Sequence, residues 1–206
     1  MDNDKRVFKA DFAKVEEREN GSKKIVGLSA IFNKLSHNLG GFREKIEPGA
    51  FKKAIGRSDA RAVFNHNPDH ILGRQSKGTL VLKETDDGLQ MTVTPPPTTF
   101  ARDLAVLIDR GDIDEQSFAF TVKRDSWDKL DTDEPIRTIN EVEQIYDVGP
   151  VTTGAYQETT VALRSLEIAR SAAGSRRDEC TAGSRGTKTS GNDLPIIDYW
   201  KLKTKE

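Results

Sequence analysis

The chain is poor in the residues that cross-link a protein, bind zinc or cross a membrane. It has 206 residues and a single cysteine, Cys180, so neither an internal disulfide nor a multi-cysteine zinc site is expected. No stretch approaches the ~18 apolar residues of a membrane-spanning helix. The N-terminus, MDNDKRVFKADFAK, lacks the apolar block of a signal peptide. We therefore expect a soluble intracellular protein with no membrane partner and no cofactor.

The chain also lacks an excess of either charge. Its 32 Lys and Arg residues nearly balance its 33 Asp and Glu residues, which gives a formal net charge of −1. This balance argues against a protein that binds nucleic acid through a broad basic face. Hydrophobic residues make up only 35% of the chain, so a core of ordinary size requires that part of the chain stays outside it.

Short segments of alternating apolar and polar residues recur along the chain and predict antiparallel strands. VFKADFAKV and IVGLSAIF flank Asn20-Gly21, a sequence typical of a tight hairpin turn. TLVLK and LQMTV flank the turn sequence DDG in the same way. Further along, SFAFTVK places Phe118 and Phe120 on one face and Ser117 on the other, which we expect to face outward toward a groove.

Few segments predict helix. EPGAFKKAIG is typical of a turn followed by a short helix that ends at Gly56. FARDLAVLIDRG follows the proline run TPPPTT, with Thr98 or Thr99 as the cap and with Leu104, Leu107 and Ile108 on one stripe. Together with about seven or eight short strands, this pattern favours a mainly β fold with a few helices (α+β), either an antiparallel barrel or a sandwich.

The composition changes near Ala172. Residues 1–171 carry the predicted strands and helices, whereas residues 172–206 are rich in Gly, Ser, Thr and charge and show no period. We expect a folded domain followed by a flexible tail. The tail ends in LPIIDYWKLK, whose apolar residues are either unstructured or a docking peptide for a partner.

Three side chains are candidates for acyl-transfer chemistry. His66, in FNHNP, follows a predicted strand and opens a polar loop; Ser117 begins a strand; Asp147, in IYDVGPVT, is expected near a strand end. A serine hydroxyl needs a nearby base, and an acidic third member would orient a histidine base and stabilise its charged form. Spacing alone does not join them, and each has an ordinary structural interpretation. His66 and His70 lie four residues apart, but Pro68 between them weakens a helical metal-site interpretation.

The residues resemble the prohead proteases of tailed bacteriophages, which are capsid-maturation serine proteases similar to the herpesvirus assemblins. The resemblance lies in an ordered series of segments: FREKIEPGAF, FNHNPDHILGR, GTLVLKETDDGL, IDRGDIDEQSFAF and YDVGPVTTGAYQETTVALRS. It implies that His66 is the base, Ser117 the nucleophile and Asp147 the third member. Glu is common at that third position in the family, so Glu143 or no third member remain alternatives.

The resemblance also implies a fold and a setting. The fold would be a closed antiparallel β-barrel of about seven strands, as in the assemblins. The protein would be a serine endopeptidase that cleaves the scaffolding region of the major capsid protein, and itself, inside the assembling procapsid in the host cytoplasm. A homodimer is compatible with this setting. Residues 172–206 would be a self-cleavage or docking segment. The alternative is a non-catalytic assembly or scaffold-binding protein on the same barrel.

Overall fold

The computed structural model describes residues 4–9, 14–17, 23–152 and 164–173. Along these ranges lie ten strands, two α-helices and one 3-10 turn (Gln75–Lys77), and residues 164–173 form a further helix, α3. The elements are β1 (Asp4–Lys9), β2 (Lys14–Glu17), β3 (Lys23–Ile31), β4 (Arg43–Ile46), α1 (Lys52–Arg57), β5 (Arg61–Val63), β6 (Ile71–Arg74), β7 (Leu80–Glu84), β8 (Gly88–Val93), α2 (Thr99–Asp109), β9 (Glu115–Asp128) and β10 (Ile136–Val151). None of the helices in the described ranges is long and apolar enough to cross a bilayer.

The strands form two sheets, and the fold is mainly β with few helices, as predicted. The first sheet has the order β1-β9-β10-β5-β6, with β4 also paired to β10, and the second has the order β2-β3-β8-β7. The predicted closed antiparallel barrel of about seven strands is wrong, since neither sheet closes on itself within the described residues. The physical reason lies in β10, whose second edge pairs with both β4 and β5 in parallel, so the first sheet is branched and mixed.

The N-terminal hairpin is only partly as predicted. β2 pairs antiparallel with β3, but β1 leaves that hairpin and pairs antiparallel with β9 in the other sheet. The segment predicted as a single strand therefore contributes to both sheets. The turn at Asn20-Gly21 lies outside the described residues, as does all of the predicted tail except its first two residues.

The second hairpin and the long helix follow the sequence pattern. β7 and β8 pair antiparallel around the DDG turn, which confirms that prediction. The backbone N–H of Ala101 donates to the Thr98 hydroxyl at 3.3 Å, so Thr98 caps α2. Leu104 and Ile108 are buried as predicted, whereas Leu107 is 39% exposed and lies off the buried stripe.

α1 lies where β10 has no neighbouring strand on its second edge. Between the stretches of β10 paired with β4 and β5, the backbone N–H of Val142 donates to the carbonyl of Ala50 at 2.9 Å. The N–H of Ile145 donates to the Ser58 hydroxyl at 3.0 Å, and the Arg57 guanidinium donates to the Val142 carbonyl at 3.2 Å. Buried backbone groups must find partners, so α1 and its flanks complete the edge that β4 and β5 leave open.

The long strand β10 is irregular in a way that matters for the site. Its buried apolar side chains recur every third residue: Ile139, Val142, Ile145 and Val148. The β9 residues paired with the last three recur every second residue: Val122, Phe120 and Phe118. β10 therefore contains extra residues at register shifts, which are β-bulges, and one of them lies between Ile145 and Asp147.

The core lies between the two sheets and is centred on aromatic contacts. Phe118 stacks on Phe120 at 4.5 Å between ring centroids and meets Phe51 edge-on at 5.7 Å. Because Phe118 and Phe120 point into this core, the alternate residues Ser117 and Ala119 lie on the opposite face of β9. That face carries the candidate site.

A glycine-to-alanine substitution on β10 tests how closely β5 must approach this strand. A Cβ at Gly149 would overlap the carbonyl oxygen of Val63, a backbone atom that cannot move without parting the strands. We expect Gly149→Ala to lower the free energy of unfolding by roughly 1–3 kcal/mol, the usual range for overpacking. The measurement is the urea midpoint by circular dichroism.

Gly56→Ala is the matched control, because a Cβ at Gly56 would meet nothing within 4 Å and the residue lies in α1. Replacing a helical glycine should raise stability by roughly 0.5–1 kcal/mol. Equal midpoints for the two variants would contradict the close approach at Gly149.

Candidate active site

His66 lies in the tight loop that joins β5 to β6. The loop is closed by backbone bonds from the Phe64 N–H to the His70 carbonyl (3.1 Å) and from the His70 N–H to the Asn67 carbonyl (3.0 Å). Asn65 and His66 both have positive φ, 55° and 54°. Two consecutive left-handed residues other than glycine are unusual, and they reverse the chain so that the imidazole is directed back over the first sheet.

Ser117 is the third residue of β9. It lies on the face opposite Phe118 and Phe120, as the alternation predicts, but the residue is fully buried rather than open to a groove. The prediction of an outward-facing serine is therefore wrong. Alternation identifies the face of a strand, whereas exposure depends on what covers that face.

Asp147 lies inside β10, not near a strand end as predicted, because β10 continues through the Val-Gly-Pro sequence to Val151. It pairs with Ala119 of β9 on one side and with Arg61 of β5 on the other. The bulge between Ile145 and Asp147 sets its direction. Ile145 points into the core, and without the extra residue Asp147 would point there too.

The structure brings the three predicted residues together. The distance from His66 Nε2 to Ser117 Oγ is 2.6 Å, and the distance from His66 Nδ1 to Asp147 Oδ1 is also 2.6 Å. An ionised carboxylate only accepts hydrogen bonds, so the neutral imidazole carries its proton on Nδ1. Nε2 is then free of a proton and accepts the hydrogen bond of the Ser117 hydroxyl. This is the arrangement in which a histidine can remove a proton from a serine.

Strand register explains why one imidazole reaches both partners. Ser117 is paired with Gly149, and Asp147 is paired with Ala119, so the four residues form two adjacent rows on one face of the sheet. Ser117 and Asp147 are then diagonal neighbours, typically about 7–8 Å apart and somewhat closer at their β-carbons. An imidazole with a hydrogen bond at each end spans such a gap. The small residues at the other two corners leave room for the ring.

Two further acidic residues on β10, the alternative candidate Glu143 and its neighbour Glu141, have cationic partners of their own. Glu143 lies 3.3 Å from Arg57 Nη2 and 3.9 Å from Lys123 Nζ. Glu141 lies 3.3 Å from both Lys53 Nζ and Lys123 Nζ. Burial raises the pKa of Glu141, but the hydrogen bonds and the positive charges of Lys53 and Lys123 together outweigh it, and the net pKa lies below its usual value. The geometry therefore favours Asp147 over Glu143 as the partner of His66.

His70 takes no part in this arrangement. Its ring stacks on Phe100 of α2 with centroids 4.3 Å apart, and its Nδ1 lies 3.4 Å from the Asn67 amide nitrogen. In the described part of the chain, no group of three or more His, Cys, Asp or Glu side chains is placed to hold a metal ion.

Sequence reasoning missed Asn65, whose side chain bonds the His66 loop to Thr152. The available signal was weak. Asparagine tolerates left-handed backbone better than most residues, so an Asn directly before a candidate histidine indicates a turn there.

Comparisons with known proteins identify a family. A model of the family described as caudovirus prohead serine protease matches residues 10–172. None of the curated proteins matches the chain. One similar solved structure is the capsid assembly protease of bacteriophage T4, gp21, with 13% identity, 72% of this chain and 99% of that chain covered, and a TM-score of 0.46. The family assignment rests on the match of residues 10–172 to the family model.

The small side chain at Ala119 provides a test of the geometry. Ala119 lies opposite Asp147 on the site face and is 1% exposed. We expect Ala119→Val to displace the imidazole and to lower the rate at which a fluorophosphonate labels Ser117 by on the order of 100-fold, the effect of a displacement near 1 Å. The measurement is the second-order labelling rate, followed by intact mass.

Ala119→Gly is the matched control, since it leaves the space for the ring open and should keep the labelling rate within a few-fold. Circular dichroism of both variants checks that they fold. An unchanged labelling rate in Ala119→Val would show that the imidazole does not lie over this residue.

Proposed function

This chain belongs to the caudovirus prohead serine protease family, and we propose that it is a serine endopeptidase in which Ser117 is the nucleophile, His66 the base and Asp147 the residue that orients it. The main support is the imidazole of His66, which is hydrogen-bonded at 2.6 Å on each side. Base, nucleophile and orienting acid are thus within bonding reach before any substrate arrives.

The first half of the proposed reaction is acylation. As the Ser117 hydroxyl oxygen attacks the carbonyl carbon of the scissile peptide bond, its proton passes to Nε2 of His66. The carboxylate of Asp147 stabilises the imidazolium that results, while remaining ionised itself. The imidazolium then gives its proton to the leaving amine, the C–N bond breaks, and an acyl ester remains on Ser117.

The second half is hydrolysis of that ester. A water molecule gives a proton to Nε2 of His66 while its oxygen attacks the ester carbon. The bond to Ser117 then breaks, the serine oxygen takes the proton back from the imidazolium, and a carboxylic acid leaves. Proton transfer by a positioned histidine contributes roughly 10²–10⁴-fold to such reactions.

The substrate proposed from the family is the scaffolding region of the major capsid protein. Processing would occur inside the assembling procapsid in the host cytoplasm, with a homodimer as a candidate assembly. Self-cleavage is proposed for the segment 172–206, beyond the folded domain 1–171. That segment is rich in Gly and Ser, and proteases need an extended stretch of chain such as this composition favours.

Removal of the Ser117 hydroxyl tests the nucleophile. We expect Ser117→Ala, co-expressed with the major capsid protein of the same phage, to fold normally and to abolish cleavage, because no oxygen remains to form the ester. The measurement is the mass of the capsid protein in assembled particles. Ser126→Ala, on the same strand β9, is the control and should process normally.

Normal processing by Ser117→Ala would remove Ser117 from the mechanism and favour a non-catalytic assembly protein. Intact mass of the protease itself gives a parallel result for self-cleavage. Ser117→Ala should keep the full 22.9 kDa, whereas the active chain should yield a smaller product. A full-length mass for both chains would contradict self-cleavage.

Exchange of the carboxylate tests the third residue. Asp147→Asn keeps the size of the side chain, but its amide NH₂ can donate to Nδ1 and so favours the imidazole tautomer with the proton on Nε2. We expect the cleavage rate to fall by roughly 10⁴-fold, the loss known for this exchange in a Ser-His-Asp triad. Glu143→Gln is the control, because Glu143 pairs with Arg57 and Lys123 rather than with His66. A larger loss in Glu143→Gln than in Asp147→Asn would assign the role to Glu143.

A further inference from the structure

The loop that carries His66 is fastened to the end of β10 by the side chain of Asn65. The backbone N–H of Thr152 donates to Asn65 Oδ1 at 2.9 Å, and Asn65 Nδ2 donates to the Thr152 hydroxyl at 3.3 Å. The backbone N–H of Asn65 also donates to the carbonyl of Pro150 at 3.1 Å. The residue before His66 is therefore held on the strand that carries Asp147.

The left-handed backbone of the loop gives these hydrogen bonds of Asn65 their importance. Asn65 and His66 are both left-handed, and this conformation is unfavourable for residues with a β-carbon. Asparagine tolerates it best because its short amide can bond to nearby backbone. His66 is left-handed as well, with a φ of 54°, and the bonds made by Asn65 help to hold the loop in this conformation.

The location of these bonds indicates a role in placement rather than in overall stability. Asn65 and Thr152 are exposed, and hydrogen bonds at exposed positions add little to the free energy of folding. The same bonds fix the backbone directly before His66. The imidazole of His66 must lie 2.6 Å from each of two partners, so a small shift of this backbone would break both contacts.

We propose that Asn65 is a positioning residue, whose amide holds the loop on Thr152 and thereby keeps the imidazole of His66 between Ser117 and Asp147. The inference rests on the proposed function, in which His66 is the base. Asn65 itself touches none of the reacting atoms and acts only through His66.

Two substitutions at Asn65 distinguish the effect of its side-chain hydrogen bonds from the effect of its left-handed backbone. Asn65→Gly keeps the positive φ without strain but removes every side-chain bond to Thr152. Asn65→Asp keeps the acceptor for the Thr152 N–H and should therefore keep His66 in position. Asn33→Gly is the matched control, because Asn33 is an exposed left-handed asparagine (φ 56°) in the turn after β3, outside the His66 loop.

The first readout is the second-order rate at which a fluorophosphonate labels Ser117 in the full-length chain. We expect Asn65→Gly to lower this rate on the order of 10- to 100-fold. Asn65→Asp should lie within a few-fold of the parent, and Asn33→Gly should match it. Thermal unfolding of each variant should change little, which distinguishes misplacement from unfolding.

The second readout needs no activity. In the Ser117→Ala background, the Nδ1 proton shared by His66 and Asp147 should give a proton NMR signal far downfield of the amides. Asn65→Gly should broaden or remove this signal, whereas Asn33→Gly should keep it. Because this measurement uses an inactive chain, it separates the positioning role from the proposed function.

The two readouts together decide the inference. It is supported if Asn65→Gly lowers the labelling rate and removes the downfield signal. A signal that survives in Asn65→Gly, an unchanged labelling rate in a reactive parent, or a parent that shows no such signal would each overturn it. A signal that depends on Asn65 in a chain whose parent is never labelled or cleaved would instead keep the positioning role and overturn the proposed function.

Discussion

Strand β10 is hydrogen-bonded along both edges, and this two-sided pairing is the constraint on which the candidate site depends. β9 pairs with one edge and supplies Ser117, while β5 pairs with the other and leads into the loop of His66. Asp147 lies between them on β10 itself. Three residues far apart in sequence thus become neighbours through backbone bonds. The entropic cost of bringing these three residues together is therefore met when the chain folds.

The bulges in β10 connect the core to the site. A regular strand would place Ile145 and Asp147 on the same face, and the core requires that Ile145 be buried. The extra residue between them lets Ile145 remain in the core while Asp147 points to His66. On the other edge of β10, the stretch between β4 and β5 has no neighbouring strand, and α1 with its flanking residues bonds to it through Ala50, Arg57 and Ser58. Through these bonds, α1 and its flanking residues help to hold the part of β10 that directly precedes Asp147.

The elements that the sequence predicted are those governed by local rules. The β7–β8 hairpin has its turn residues and its alternation side by side, and α2 has its cap at Thr98 and its stripe within a few turns. Partners chosen over long distances were not predictable in this way. Nothing in the alternating pattern near the N-terminus indicates that β1 leaves β2 for β9, or that two short strands share one edge of β10.

The residues of the candidate site show the same division. His66, Ser117 and Asp147 were identifiable from ordered motifs, but periodicity could not give their surroundings. A strict two-residue period misplaces any residue beyond a bulge, so it could not give the direction of Asp147. It also assigned Ser117 to the correct face without indicating that this face is covered. The left-handed turn at Asn65 and His66 depends on a bond to Thr152, more than eighty residues away along the chain.

The burial of Ser117 bears on how a substrate would have to act. Its hydroxyl is already bonded to His66, and the residue has no exposed surface, while the side chains of His66 and Asp147 are 15% and 21% exposed. Low solvent access strengthens the bonds among these groups, since water competes little for them. A peptide carbonyl can reach the serine oxygen only after neighbouring atoms move aside. In the proposed reaction, a substrate would therefore have to expose residues that are already aligned, and its binding energy would be used for access rather than for alignment.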